Sequence, residues 1–292
     1  MSAKVVSRQR GAGQHPARRR RRRDPWVIGC YVAVAVFLVW VLVPIVQMVL
    51  TSFKSTYAIF QPTIHLNFAP TMANYETVFG KLDFLRNVLN SCLIAGVSTA
   101  IALTLGVPAG YALCRLNIRF EEAWAQGILL ARMVPAVTLM VPMYVLMSKA
   151  SLLGSYWGVI LAHTSFELPL VIWMMRSFFL DVPPALEEAA MIDGASRFRV
   201  FWQIAVPLTG PGISVTAILS ILLSWNEFLF ALVLGGRGTQ TAPIAVSKFV
   251  GINIDWGGSM AAATIALVPI FVMGLAVQKF LVRGLTMGAV KE

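Results

Sequence analysis

Five polar or ionisable side chains interrupt the long apolar runs of this chain: Arg132, His163, Glu167, Asn226 and Glu227. An ionisable group at the centre of a membrane span costs ~2.5–3.5 kcal/mol on insertion scales, so it needs a partner or a polar cavity. His163 and Glu167 are spaced i, i+4 and share one helix face. Two readings stay open for the set: hydrogen bonds that hold neighbouring helices together, or the polar lining of a translocation path. Metal chemistry is not expected, because His15 and His65 are far from His163 in sequence and Cys30, Cys92 and Cys114 have no ligand-like spacing. The cysteines read instead as packing residues. There is no G-x-S-x-G turn and no G-x-x-x-x-G-K-[ST] phosphate loop, so neither covalent catalysis nor ATP hydrolysis by the usual route is expected.

A second polar constellation, "EEAAMIDGASRFRVFWQIAVP" from Glu187 to Pro207, sits between two apolar runs. "DVPP" at Asp181–Pro184 ends the preceding run and supplies a proline suited to a first helical turn. Glu187 and Glu188 follow where negative charge suits the helix dipole. Leu186, Ala189 and Ala190 form a small, close-packing face, and Gly194 reads as the residue that stops the helix. Ser196 can cap a second short helix over Arg197–Ala205, which carries Phe198, Phe201 and Trp202, and Pro207 bars its smooth continuation. The expected product is a bent elbow with a charged and an apolar face. Such an elbow either lies on the membrane surface or docks a soluble partner.

The elements that carry these residues follow from composition. The 292 residues are 58% hydrophobic and 13% charged, against about 25% charged in soluble domains, so most of the chain is expected in lipid. Six stretches reach the ~20 apolar residues of a spanning helix: Trp26–Leu50, Val88–Leu113, Trp124–Met147, Tyr156–Phe179, Gly212–Leu234 and Ala261–Val282. Helices are the expected spanning form, since backbone groups in lipid must be satisfied within the segment. Pro44, Pro108, Pro135, Pro142, Pro169 and Pro269 fall inside them, as breaks that allow rocking or as static kinks. The net charge of +11 includes the run Arg18–Arg23 just before the first span, which places the N-terminus inside; the other basic residues divide almost evenly between the two sides. Residues 1–24 read as a disordered orientation tag that also attracts anionic lipid, not as a nucleic-acid site. The first apolar run is too long for a signal-peptide core and is expected to be retained. Residues 51–87 and 235–260 are long exterior connections, and residues 181–210 form the interior elbow.

Glu188-Ala189-Ala190, three residues, Gly194, nine residues, Ile204, one residue, Val206-Pro207 resembles the EAA loop, EAA-x3-G-x9-I-x-L-P, of permease subunits of binding-protein-dependent ABC importers, with valine in place of leucine. "YALCRL" at Tyr111–Leu116, "SWNEF" at Ser224–Phe228 and "RGLTMGAVKE" at Arg283–Glu292 are similar to further family segments, the last to the carbohydrate-uptake, MalG-like branch. The resemblance covers residues 26–292. It implies an all-α integral membrane protein with six transmembrane helices, the type I importer permease fold and a cytoplasmic coupling helix. It also implies a bacterial inner-membrane location with both termini cytoplasmic, and the following partners: a second related permease subunit, two ATP-binding subunits that use the ATP and magnesium, and an extracytoplasmic sugar-binding protein. No cofactor is expected on this chain. Carried over by position, Glu188, Ala189, Ala190, Gly194, Ile204 and Pro207 are expected to couple to the ATPase. Glu167, Trp225, Asn226 and Glu227 are expected along the sugar path, where aromatic faces and hydrogen-bonding groups suit a carbohydrate. The exterior loop 235–260 matches in location a segment that probes the binding protein, and Gly288–Glu292 a tail that reaches the ATPase. A proton-driven carrier using Glu167 and Glu227, and a membrane enzyme, remain the alternatives.

Overall fold

The computed structural model describes residues 25–61, 68–81, 83–250 and 255–288, and every element among them is helical. Residues 1–24, with the arginine run, lie outside them. In chain order the helices are α1 (Pro25–Ser52), α2 (Thr56–Ile59), α3 (Ala73–Lys81), α4 (Phe84–Arg115), α5 (Glu121–Ala131), α6 (Ala136–Lys149) and α7 (Tyr156–Leu180). Then come α8 (Pro184–Ile192), α9 (Arg197–Val200), a π-turn (Phe201–Ala205), α10 (Val206–Leu208), α11 (Gly210–Asn226), α12 (Leu229–Leu234), α13 (Ala242–Ser247), a 3-10 turn (Lys248–Val250) and α14 (Trp256–Gly288). Residues up to Val46 and residues from Gln47 onward form two separate units. In the first, every described residue of α1 is exposed and the sequence is almost wholly apolar, the signature of a helix solvated by lipid.

Among the described residues four helices are long and apolar enough to cross a membrane unbroken: α1, α4, α7 and α14. They contain four of the six expected spans. The other two differ from expectation. The expected third span, Trp124–Met147, is two helices, α5 and α6, bent by 90°. Pro135 has no N–H to donate and forces Val134 out of helical geometry, so the helix restarts after it. The other five span prolines lie inside continuous helices. The expected fifth span, Gly212–Leu234, stops at Asn226 and resumes at Leu229, with Glu227 extended between them. Upstream, α10 and α11 meet at a 73° bend at Thr209, which pairs Arg197–Leu208 with Gly210–Asn226. Counting each bent pair as one span gives six.

Within the second unit α4 and α7 make the most extensive pair. Their backbones approach because Gly106 and Gly110 have no side chain. A Cβ on Gly106 would lie 2.5 Å from Val171 Cγ1, and one on Gly110 would lie 2.9 Å from the Arg176 backbone nitrogen. Small residues serve this purpose where lipid offers no hydrophobic gain from association. One end of the pair packs Val107, Tyr111, Val171, Met175, Phe179 and Phe201 together. Toward the other end, Ile94, Val159, Ile160, Phe230 and Leu234 form a second cluster. Cys30 and Cys92 lie exposed, so they do not fill the chain's interior as expected; Cys114 is half-buried. The connection after α12 is tied down by side chains: Asn90 Nδ2 donates to Gly238 O and Gln240 O, and the Ala242 N–H donates to Ser91 Oγ. Residues 251–254 of the expected exterior loop lie outside the described residues.

Candidate functional site: the elbow and the mid-span polar chain

The elbow forms for the reasons its residues suggest. Pro184 opens α8, where its missing N–H costs nothing. Gly194 ends the helix with φ +87°, a left-handed backbone that favours glycine, and a Cβ there would meet nothing within 4 Å. Ser196 Oγ accepts the Arg199 N–H and caps α9. The second arm does not end at Ala205, as expected, but runs through Pro207 to Leu208. The π-turn makes this possible. The Val206 N–H reaches back five residues to Phe201 O, which re-registers the ladder just before the proline, where an α-helix would lose a bond. Glu188, Ala189 and Gly194 are exposed, Ala190 and Ile204 half-buried, and Pro207 exposed. Large apolar side chains stand out beside them: Leu186, Met191, Ile192 and Phe198, the last two 86% and 74% exposed.

Glu187 behaves differently from its neighbour. It is the one buried residue of α8. Tyr111 Oη donates to Glu187 Oε2 at 2.7 Å and Arg115 Nε donates to Glu187 Oε1 at 2.8 Å. The same guanidinium donates through Nη2 to Phe179 O at 2.9 Å and Val182 O at 2.6 Å. These carbonyls close the C-terminal end of α7, where helical acceptors lack intrahelical partners and positive charge is favoured. Rings of Tyr111, Phe179 and Phe201 pack around the group. Sequence reasoning placed Glu187 at the helix dipole and gave Tyr111 and Arg115 no role; their i, i+4 spacing at a span's end was the available signal.

Deeper in the bundle, Glu167 is buried in α7 and accepts hydrogen bonds from Ser98 Oγ (2.8 Å) and Thr99 Oγ1 (3.1 Å) of α4. Ser98 Oγ lies 3.2 Å from Ser224 Oγ of α11, which lies 2.7 Å from His163 Nδ1. His163 Nε2 approaches Glu227 Oε2 to 3.2 Å. The Glu227 carboxylate also accepts the Phe230 and Ala231 N–H groups, so it caps α12 across the break. Trp225 is buried with Val78, Phe84 and Ala242. Asn226 is exposed and donates to Leu222 O. Thus the structure joins Glu167, His163 and Glu227 through two serines, sets Asn226 on the surface and packs Trp225 in the core. Arg132 stands apart at the α5–α6 break. Its guanidinium lies 5.5 Å from the Phe166 ring, beside a cavity of about 350 Å³ lined by Leu139, Met143, Phe166, Pro169 and Phe230. No group of histidines, cysteines and acids among the described residues could hold a metal.

Residues 102–287, well over half of the chain and including both arms of the elbow, match the family described as binding-protein-dependent transport system inner membrane component. The chain belongs to this family. It is 36% identical over 76% of its length to the trehalose transport system permease protein SugB of Mycobacterium tuberculosis, covering 82% of that protein. It is 33% identical over 89% of its length to the sulfoquinovosyl glycerol transport system permease protein SmoH of Agrobacterium fabrum, covering 93% of it. The fold resembles a crystal structure of a bacterial ABC transporter involved in import of the acidic polysaccharide alginate. The TM-score is 0.75 at 22% identity, over 87% of this chain and 95% of that one. As an inner-membrane component of this family, the chain is a permease of ABC importers with the type I fold.

Proposed function

We propose that this permease passes a sugar across the inner membrane as half of a heterodimer with a second, related membrane subunit. Two ATP-binding subunits dock beneath it and an extracytoplasmic binding protein delivers the solute. The names of its relatives support the sugar: trehalose, a sulfoquinovosyl glycerol and alginate are all carbohydrate-based cargo of the proteins they describe. ATP, with its magnesium ion, is hydrolysed by the partner subunits, and both termini lie in the cytoplasm. The observation that carries the reading is the elbow. Glu188, Ala189 and Gly194 are presented outward on a pair of short helices, beside Leu186, Met191, Ile192 and Phe198, which are exposed among the described residues. Glu188 can pair with a basic group of the ATPase, the alanines admit close approach, and Gly194 sets the angle; Ile204 and Pro207 shape the second arm. The sugar path runs past the break at Asn226 and Glu227, with Glu167 and Trp225 supporting its wall from inside. The loop 235–260 faces the binding protein. The tail Gly288–Glu292, whose last four residues lie outside the described ones, contacts the ATPase.

The test is ATP-driven uptake by the reconstituted assembly, with trehalose and an alginate oligosaccharide as probes and the loaded binding protein supplied. Glu188→Lys and Gly194→Trp lose uptake and release the ATPase while the spans stay inserted. Gly194→Asn, which tolerates left-handed backbone, keeps the elbow folded. A Gly194→Trp assembly that transports normally with its ATPase bound overturns the reading. The buried chain from Glu167 to Glu227 favours one second reading, proton-driven transport by this chain alone; uptake under a proton gradient without ATP is its test.

A further inference from the structure

The nine-residue α8 is too short to persist by itself. Its apolar side chains do not hold it to the bundle, since Leu186, Met191 and Ile192 are exposed. Its buried contact is Glu187, a carboxylate that tolerates burial only when paired and hydrogen-bonded. Both oxygens are engaged, one by Tyr111 and one by Arg115, each from α4. The same guanidinium grips the terminal carbonyls of α7 at Phe179 and Val182. One side chain therefore ties three elements at one point, and its fork geometry is required for this, since a lysine offers a single ammonium and cannot donate from two separate nitrogens. The covalent links to α8 are weak mechanical substitutes: a short loop around Val182 and Pro183 on one side, and the left-handed Gly194 on the other.

We infer that Arg115, acting through Glu187, is a positioning residue that makes the elbow move as one body with α4 and α7, so that a push on α8 reaches the spans instead of being absorbed in the loops. This rests on the reading of the elbow as the ATPase-facing segment. Tyr111 completes the joint by holding the second carboxylate oxygen.

The experiment uses the whole transporter in nanodiscs, with its second membrane subunit and ATPases, and needs no knowledge of the sugar. Cys30, Cys92 and Cys114 are first replaced by serine, which preserves an acceptor beside Arg115 at position 114. Spin labels are then placed at Ile192→Cys on the elbow and Leu105→Cys on an exposed face of α4. In the parent, the label-to-label distance distribution stays equally narrow without nucleotide and with the ATPases trapped closed. In Glu187→Gln and in Arg115→Lys the distribution widens by about twofold, because α8 loses a charge-assisted tether and gains further orientations. The amount of ATPase bound stays unchanged. Two outcomes overturn the joint: distributions in both variants as narrow as in the parent, or a parent distribution that already widens on closure. Failure of the underlying reading is separate: the label at 192 alone would then show no change in mobility when the ATPases are added.

Discussion

At the scale of single residues, two glutamates one position apart have opposite tasks. Glu188 faces outward and Glu187 is buried against Arg115. Their sequence positions differ by 100° of helix, and that rotation alone assigns one to the outside and one to the bundle. A comparable division holds in mid-span. Glu167 is enclosed by hydroxyls from α4, whereas Asn226 is open. Replacing Glu167 by leucine removes the acceptors of the Ser98 and Thr99 hydroxyls, an effect of about 1–3 kcal/mol per buried unsatisfied group, whereas glutamine keeps one acceptor oxygen and offers the other hydroxyl an N–H to accept. The expected result is a clear loss of thermal stability for Glu167→Leu in the purified complex and little change for Glu167→Gln. Equal melting of both variants with the parent contradicts the structural role of that carboxylate. The i, i+4 pair His163–Glu167 was legible because helix periodicity is fixed; the serines that link the two through α4 and α11 were not, because they are remote in sequence.

At the scale of elements, the arrangement depends on close helix approach and on where helices break. Gly106 and Gly110 bring α4 against α7, and this contact carries Tyr111 and Arg115 to the end of α7. At Gly110 a Cβ would press on the backbone at Arg176 N and Ile172 O, neither of which can rotate aside. Gly110→Val is therefore expected to destabilise the permease by about 1–3 kcal/mol through overpacking. Gly96→Ala, in the same helix with nothing within 4 Å of its Cβ, leaves stability equal or raised. Thermal unfolding in one detergent compares them directly; an equal drop for both rules out the packing argument. The breaks were harder to foresee. Six prolines fall in apolar runs, yet only Pro135 divides a helix. A second break, at Glu227, has no proline and exists because a carboxylate can cap the restarting helix.

At the scale of the whole molecule, the described surface is rich in apolar side chains, with Val137, Val141, Phe271 and Val272 each more than half exposed. In water such surface would aggregate, as expected of a chain that works in lipid. Charge is expected to set the orientation, by the positive-inside rule. Replacing Arg18–Arg23 by glutamine removes the strongest asymmetry in the chain, and an appreciable fraction of molecules is expected to insert inverted. A reporter fused to the C-terminus and active only in the cytoplasm measures this; undiminished activity would show that later segments fix the topology.

The sequence by itself determined the membrane class, the approximate place of the apolar segments, the elbow with its turn at Gly194, and the family. These are local properties: hydropathy over twenty residues, a glycine's backbone freedom, a serine cap, a fixed motif spacing. Only the tertiary structure decided which prolines break a helix, that Glu187 is held by Arg115 and Tyr111, more than 70 residues away, and that Glu167 and Glu227 join one buried chain. Those outcomes depend on which distant groups can satisfy a buried polar atom, and that is fixed only when the helices have packed.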